Sequence, residues 1–233
     1  MATKSKSTIT FLHTSPTHIP IFDALMAEHG PGIPTSHIVD ESLLDEARRA
    51  RGITPDLRDR IHKILADAAE AGAKVIVCTC STIGGSAEEA NGTIKATVIR
   101  IDRPMAEMAV AIGSRIGLVV ALMSTLSPSR ALLQDVAERA GKSIDIVEIL
   151  CADAWQRFEA GDHAGYLKVV AARIRSAPNS VNVIVLAQAS MAGVTNVLSN
   201  APIIGGRAAE PVAAPILSSP TIGVNAAVGA YLG

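Results

Sequence analysis

The chain has 233 residues, a formal net charge of −1 and 48% hydrophobic residues. That length is enough for one large domain or two small ones, with a largely aliphatic core. The near-neutral charge, without a basic cluster, argues against nucleic acid or a membrane surface as the main partner. No secretion signal is recognisable and the three cysteines cannot all pair, so we expect a cytoplasmic protein with free thiols.

Strands and helices alternate through the first half of the sequence. We predict four strands, at residues 8–12, 36–39, 74–78 and 97–101. Helices are expected from near Ile19, from Pro55 with Thr54 as its N-cap, and over residues 87–91 after two glycines. A further helix runs up to Ile112, and residues 40–51 show no clear pattern. The third strand is apolar on both faces, which is typical of a central parallel strand.

The second half repeats this order. It is predicted to contain strands at residues 116–122, 145–150, 181–186 and 215–217, and helices at 130–140, at 166–174 and after Pro220. In an alignment of the two halves that contains no gap, residues 75–77 match 183–185, Thr82 matches Ser190 and Cys80 matches Gln188. We interpret the offset between the halves, roughly 108 to 116 residues, as an internal duplication.

The pattern therefore predicts an α/β fold of two pseudo-symmetric halves, each a mostly parallel sheet flanked by helices. The first half spans residues 8–112, and its C-terminal helix is a candidate to cross over to the other half. The second half spans residues 113–233. Because ligands bind beyond the carboxyl ends of the strands in such sheets, the active site is expected in a cleft between the halves.

Residues 211–233 carry no charge and are about long enough to span a bilayer. Three prolines, Pro211, Pro215 and Pro220, would interrupt a spanning helix repeatedly. We therefore expect a strand, a turn and a helix here rather than a membrane segment.

Cys80 is the strongest candidate for a catalytic side chain. It follows a buried strand and precedes Gly84 and Gly85, whose backbone N–H groups could approach a ligand. A helix starting after the glycines would favour the thiolate and hold an anion. The alternative is that Cys80 is a small buried hydrophobic residue. Cys78 and Cys151 are expected in the core, and the C-x-C spacing does not predict a metal site.

Hydroxyl side chains recur at the predicted strand ends of both halves. They could bind the oxygens of a small carboxylate or an enediolate, although Ser and Thr at such positions also cap helices. The candidates for substrate binding are Thr14, Ser15, Ser81, Thr82, Ser124, Thr125 and Ser190. His13 could be an acid or base, or an exposed or capping residue. Asp102 and Arg103 could form an ion pair or clamp a substrate.

These motifs resemble those of the aspartate, glutamate and hydantoin racemase superfamily. Cys80-Ser81-Thr82 is similar to the family's first motif, of Cys-Asn-Thr type. Residues 185–192 (VLAQASMA) are similar to the second, Gly-Cys-Ala-Gly-Met-Ala motif of hydantoin racemases, which adds Ala189 to the candidates for substrate binding. Residues 101–106 and the turn at 124–125 also resemble the family, and the likeness extends over nearly the whole chain from Thr8.

The resemblance implies a cofactor-independent reaction at the carbon next to a carboxylate or cyclic amide, and a homo-oligomer. In that family a thiolate from each half acts on opposite faces of the carbon. This chain has Cys80 at the first position but Gln188 at the second, and an amide cannot act as a base. Our main hypothesis is a racemase-type isomerase that uses Cys80, with His13 or a water held by Gln188 as the second acid–base group.

Alternatives with one thiol remain open. The resemblance extends to arylmalonate decarboxylases, in which a single thiol protonates the carbanion left by loss of carbon dioxide. It also extends to maleate isomerases, in which a thiol adds to an unsaturated substrate. A protein that only binds a small carboxylate or a hydantoin-like ligand is a further alternative. Cys80 argues against that one, because a binding protein needs no thiol at this position.

Overall fold

The computed structural model describes residues 7–178, 180–199, 203–204, 207–208 and 212–233. They form two compact units. The first unit contains the described chain up to Pro104 together with Pro220–Gly233, and the second contains Met105–Ser219.

The first unit is built on a four-stranded parallel sheet with the strand order β2-β1-β3-β4. Its strands are β1 Thr8–His13, β2 Thr35–Val39, β3 Ala73–Cys78 and β4 Thr97–Arg100. The helices of this part of the chain are α1 Ile19–His29, α2 Glu41–Ala50, α3 Pro55–Glu70 and α4 Ser81–Glu88. The helix α5, Arg103–Ile112, follows β4.

The second unit contains another four-stranded parallel sheet. In chain order the elements are β5 Arg115–Val120, α6 Leu126–Arg139, β6 Asp145–Leu150, α7 Ala152–Glu159, α8 His163–Arg175, β7 Val183–Leu186 and α9 Val194–Ser199. A short antiparallel pair, β8 Ile203–Ile204 and β9 Arg207–Ala208, comes next. The chain ends with β10 Ile216–Ser218 and α10 Ser219–Leu232.

The strand order confirms the predicted pseudo-symmetry. The second sheet has the order β6-β5-β7-β10, which matches β2-β1-β3-β4 of the first sheet strand for strand. Every strand pair within these two sheets is parallel. The carboxyl ends of the strands therefore lie at one edge of each sheet, where the polar turns follow.

The helices α2 and α4 differ from the sequence prediction, and α9 was not predicted. Residues 41–50 form α2 because Asp40 caps it, accepting a hydrogen bond from the Ser42 amide at 3.1 Å, while Leu43 and Ala47 are buried one turn apart. The helix α4 begins at Ser81, directly after Cys80, rather than after the glycines.

Gly84 lies inside α4 because the helix packs closely on a neighbouring strand. A Cβ atom at this position would lie 3.3 Å from both Cβ and Nε of Arg100 in β4. The glycine therefore serves helix–strand packing and lies inside the helix rather than before it.

The last helix, α10, packs on the first unit. Val224 and Ala227 belong to the same buried cluster as Ile9 and Phe11 of β1. The strand, turn and helix predicted over residues 211–233 are present as β10 and α10, with Pro211 outside the described residues. Among the residues that the structure describes, no helix is both long and apolar enough to cross a membrane.

Candidate active site

The carboxyl edge of the first sheet carries the thiol that the sequence singled out. Cys80 follows β3 in an extended conformation and is the N-cap residue of α4, with 8% of its surface exposed. Ser81 and Thr82 form the first turn of that helix and are buried. Because the dipole at a helix N-terminus favours negative charge, this position suits a bound carboxylate.

The other two cysteines are confirmed as core residues. Cys78 is fully buried within β3, and burial raises the pKa of its thiol far above its ordinary value. In the second unit Cys151 is also fully buried, and burial raises the pKa of its thiol to about 11. Neither side chain is therefore a thiolate near neutral pH.

A buried ion pair supports the start of α4. Arg100 binds Asp102 through two contacts, Nε to Oδ1 at 2.7 Å and Nη2 to Oδ2 at 3.0 Å. Burial alone would raise the pKa of the Asp102 carboxyl, but the Arg100 guanidinium and the Ser81 hydroxyl hold it below its usual value. Arg103, which the sequence suggested as the partner of Asp102, forms an ion pair with Glu88.

The end of β1 contributes His13, Thr14 and Ser15. His13 is fully buried, with Nδ1 at 2.9 Å from the Thr79 hydroxyl, so it is neither exposed nor a helix cap. Burial is the main cause that lowers the pKa of His13 to about 3, and electrostatic repulsion from the neighbouring His37 is the second cause. The ring of His13 is therefore neutral at physiological pH. Thr14 is buried, and Ser15 caps the short 3₁₀ turn before α1.

Gln188 occupies the equivalent position in the second unit. It follows β7 in an extended conformation and precedes a 3₁₀ turn over Ala189–Met191. Its Oε1 accepts a hydrogen bond from the Ala121 amide at 2.8 Å, which fixes the orientation of the side-chain amide. Among the described residues Nε2 is buried and has no hydrogen-bond partner. A buried amide N–H₂ without an acceptor is costly, so this group is poised to bind a ligand oxygen.

The hydroxyls of this second edge have protein partners. The Thr125 hydroxyl donates to the Leu122 carbonyl at 2.6 Å, and Ser190 lies 2.9 Å from the hydroxyl of Tyr166. Ser124 is half-buried, and Ala189 is buried beside Gln188. Within the described ranges, no three His, Cys, Asp or Glu side chains are placed to hold a metal ion.

Solved structures with a similar architecture include glutamate racemase from Thermus thermophilus, aspartate racemase from Picrophilus torridus and an aspartate racemase homologue from Pyrococcus horikoshii. Their TM-scores are 0.66, 0.64 and 0.62, at 14%, 13% and 13% identity. The alignments cover 97%, 92% and 97% of this chain and 81%, 89% and 100% of those chains. The fold is that of the aspartate and glutamate racemases. No model of a known protein family matches the sequence, and no curated protein matches it.

The fold is the one that the resemblance of the motifs implied. Within it, the two sheet edges of this chain differ in chemistry, because the first carries a thiol and the second carries an amide. Tyr166 is a residue that the sequence did not single out. It is buried on α8, where burial raises the pKa of its phenol. The sequence offers one indication of Tyr166: it is an aromatic residue at a core-facing position of a predicted helix, in a chain with few aromatic residues.

Proposed function

We propose that this protein is a cofactor-independent enzyme that moves a proton at the carbon next to a carboxylate or cyclic amide, with Cys80 as the acid–base group. The observation that carries the proposal is the position of Cys80 at the N-terminus of α4, on the carboxyl edge of a racemase-type sheet. The thiolate would take the proton from the α-carbon. The N–H groups of Ser81 and Thr82 would stabilise the negative charge that develops on the substrate oxygens.

Gln188 is proposed to bind a substrate oxygen through its unpartnered Nε2. It cannot exchange protons with carbon, because an amide has no titratable group near neutral pH. The hydroxyl and backbone groups of Thr14, Ser15, Thr125 and Ser190 remain proposed contacts for the same oxygens.

The second acid–base group of a racemase is then His13 or a bound water. His13 suits the role of a base poorly, because its low pKa makes it a weak proton acceptor. A water bound by Gln188 is the better candidate, since the amide N–H₂ has two N–H groups and can bind a substrate oxygen with one and orient the water oxygen with the other. This is the form of the racemase hypothesis that we favour.

The amide at position 188 also favours a second candidate function. A reaction that needs one thiol only, such as decarboxylation followed by protonation or cis–trans isomerisation by addition of the thiolate, requires no base on the other edge. Both candidates depend on Cys80, so they differ in the product and not in the catalytic group.

Proton NMR in D₂O separates these functions. The protein is incubated with aspartate, glutamate, an alkyl hydantoin, maleate and a malonate. Loss of an α-proton signal without a new compound indicates proton exchange and supports the racemase-type reaction. A new compound formed by loss of carbon dioxide or by isomerisation supports the one-thiol reaction. If none of these compounds reacts although some of them bind, a binding protein explains the site better than an enzyme.

A matched variant tests the role of the amide. Gln188→Cys places a thiol at the second position, and we expect it to add or raise racemisation of a compound that the wild type already binds. Unchanged racemisation in a folded Gln188→Cys protein would count against the equivalence of positions 80 and 188.

A further inference from the structure

A chain of hydrogen bonds runs from the surface of the first unit to the end of β3. Asp23 Oδ1 lies 3.0 Å from His37 Nε2, and His37 Nδ1 lies 2.9 Å from His13 Nε2. His13 Nδ1 lies 2.9 Å from Thr79 Oγ1, which is also 3.1 Å from the Leu12 carbonyl oxygen. The side chain of Asp23 is 56% exposed and that of His37 is 15% exposed, whereas His13 and Thr79 are buried.

The positions of the protons follow from the two groups at the ends of this series of hydrogen bonds. The Leu12 carbonyl and an ionised Asp23 can only accept hydrogen bonds. If the single hydroxyl proton of Thr79 points to Leu12, then His13 must donate through Nδ1. The bond between the two rings and the bond to Asp23 can then both form only when the His13–His37 pair carries one positive charge. When that charge is on His37, His13 accepts through Nε2 and His37 donates through both ring nitrogens.

Loss of one proton from His37 reverses the donor and acceptor roles in the hydrogen bonds that link His37, His13 and Thr79. His37 keeps the N–H that points to Asp23 and accepts at Nδ1 from the Nε2–H of His13. His13 then accepts at Nδ1 from the Thr79 hydroxyl, which turns away from Leu12. The Leu12 carbonyl keeps the bond from the Thr79 backbone N–H at 3.0 Å. No buried donor is left unpaired in either state, so both states are accessible.

The groups around His37 determine which ring carries the charge. Asp23 on α1 and His13 on β1 contact His37 directly, and His18, in the turn before α1, faces His13 with a ring separation of 6.1 Å. Burial lowers the pKa of His18, and it lowers that of His13 to about 3. The ring of Phe11 stacks on His37 at 5.4 Å and carries no charge. The positive charge therefore belongs on His37, beside the carboxylate.

We propose that Asp23, His37, His13 and Thr79 form a protonation-dependent switch. The charge on His37 sets the tautomer of His13 and the acceptor of the Thr79 hydroxyl. In the charged state Thr79 is bound to Leu12 through both its backbone and its side chain, and in the neutral state through its backbone only. Because Thr79 directly precedes Cys80, the switch sets how firmly the turn that carries the thiol is tied to β1. It is a property of the fold and does not depend on the reaction.

Nitrogen NMR of protein labelled at its histidine rings tests the switch, because the ring shifts distinguish the two neutral tautomers from the imidazolium. His13 should carry its proton on Nδ1 while His37 is charged. It should move that proton to Nε2 with the same midpoint as the His37 titration. His62 is the internal control: its Nε2 lies 2.8 Å from the Ser86 carbonyl oxygen, so its neutral form should keep the Nε2–H tautomer throughout.

Two variants sharpen the result. Asp23→Asn changes the group that contacts His37 Nε2, so the His37 midpoint and the midpoint of the His13 tautomer change should move together. His37→Phe should leave His13 in one tautomer over its whole neutral range. A His13 tautomer that stays constant while His37 titrates would overturn the proposal, as would midpoints that separate in Asp23→Asn.

Discussion

Gly223 is a position at which the backbone of a neighbouring segment leaves no room for a side chain. It lies in α10 above Ile101, and a Cβ atom there would be 2.5 Å from the Ile101 carbonyl oxygen. Because that oxygen belongs to the backbone, it cannot move aside as a flexible side chain would. In Gly223→Ala the helix must shift away from the sheet, and Val224 and Ala227 then lose part of their burial.

The expected loss of stability follows from two opposing effects. Overpacking of a buried site costs about 1–3 kcal/mol. The higher helix propensity of Ala returns up to about 1 kcal/mol. We therefore expect Gly223→Ala to lower the free energy of unfolding by up to about 2 kcal/mol. The matched control is Gly229→Ala in the same helix, where nothing lies within 4 Å of the added Cβ. That variant should raise the free energy of unfolding by about 0.5–1 kcal/mol.

Urea unfolding followed by circular dichroism measures both variants against the wild type. The change is expected in the transition of the first unit, because α10 belongs to it. If Gly223→Ala proves as stable as Gly229→Ala, then α10 does not pack against Ile101 as described, and the reasoning is refuted.

Three further predictions concern the charges and the amide of the site. Asp102→Asn leaves the Arg100 guanidinium buried without its charged partner. Urea unfolding should show that this variant is less stable than the wild type by about 3–5 kcal/mol. The control is Asp67→Asn at an exposed ion pair, which should barely change stability. The depressed pKa of His13 means that its contribution to stability is complete above pH 6.5 and is lost as the pH falls towards about 3. The unfolding free energies of wild type and His13→Gln are compared across that pH range. The difference between them should change by as much as about 5 kcal/mol from one end of the range to the other. Curves that stay parallel would contradict the assignment. Gln188→Glu replaces the unpartnered N–H₂ by a carboxylate oxygen and should weaken substrate binding by roughly tenfold or more, which titration calorimetry measures; unweakened binding would remove Gln188 from the site.

The strands of the two parallel sheets were predictable because most of them are short apolar runs that end in polar turns, whereas β8 and β9 were not predicted. The buried run before Cys80 and the matching run before Gln188 fixed both central strands and the internal duplication. The start of α4 was not predictable in the same way. Its glycines suggest a turn locally, and only the close approach of Arg100 on another strand shows why they lie inside a helix.

The partners of the site residues were also beyond the sequence pattern. The contacts of His13 join it to residues 24 and 66 positions away, and no local rule predicts such pairs. The unpartnered N–H₂ of Gln188 is likewise visible only once the Ala121 amide is seen to fix its orientation. The identity of the candidate residues thus came from sequence, whereas their hydrogen bonds and charge states required the three-dimensional structure.

The central claim is that Cys80 carries the chemistry, and α-proton exchange in D₂O tests it most directly. Wild type, Cys80→Ala and Cys151→Ala are compared by proton NMR on the compound that the wild type transforms, after circular dichroism has shown that all three are folded. We expect Cys151→Ala to keep the wild-type rate, because that thiol is buried in the core, and Cys80→Ala to show no detectable turnover. A folded Cys80→Ala protein that turns over at the wild-type rate would contradict the account.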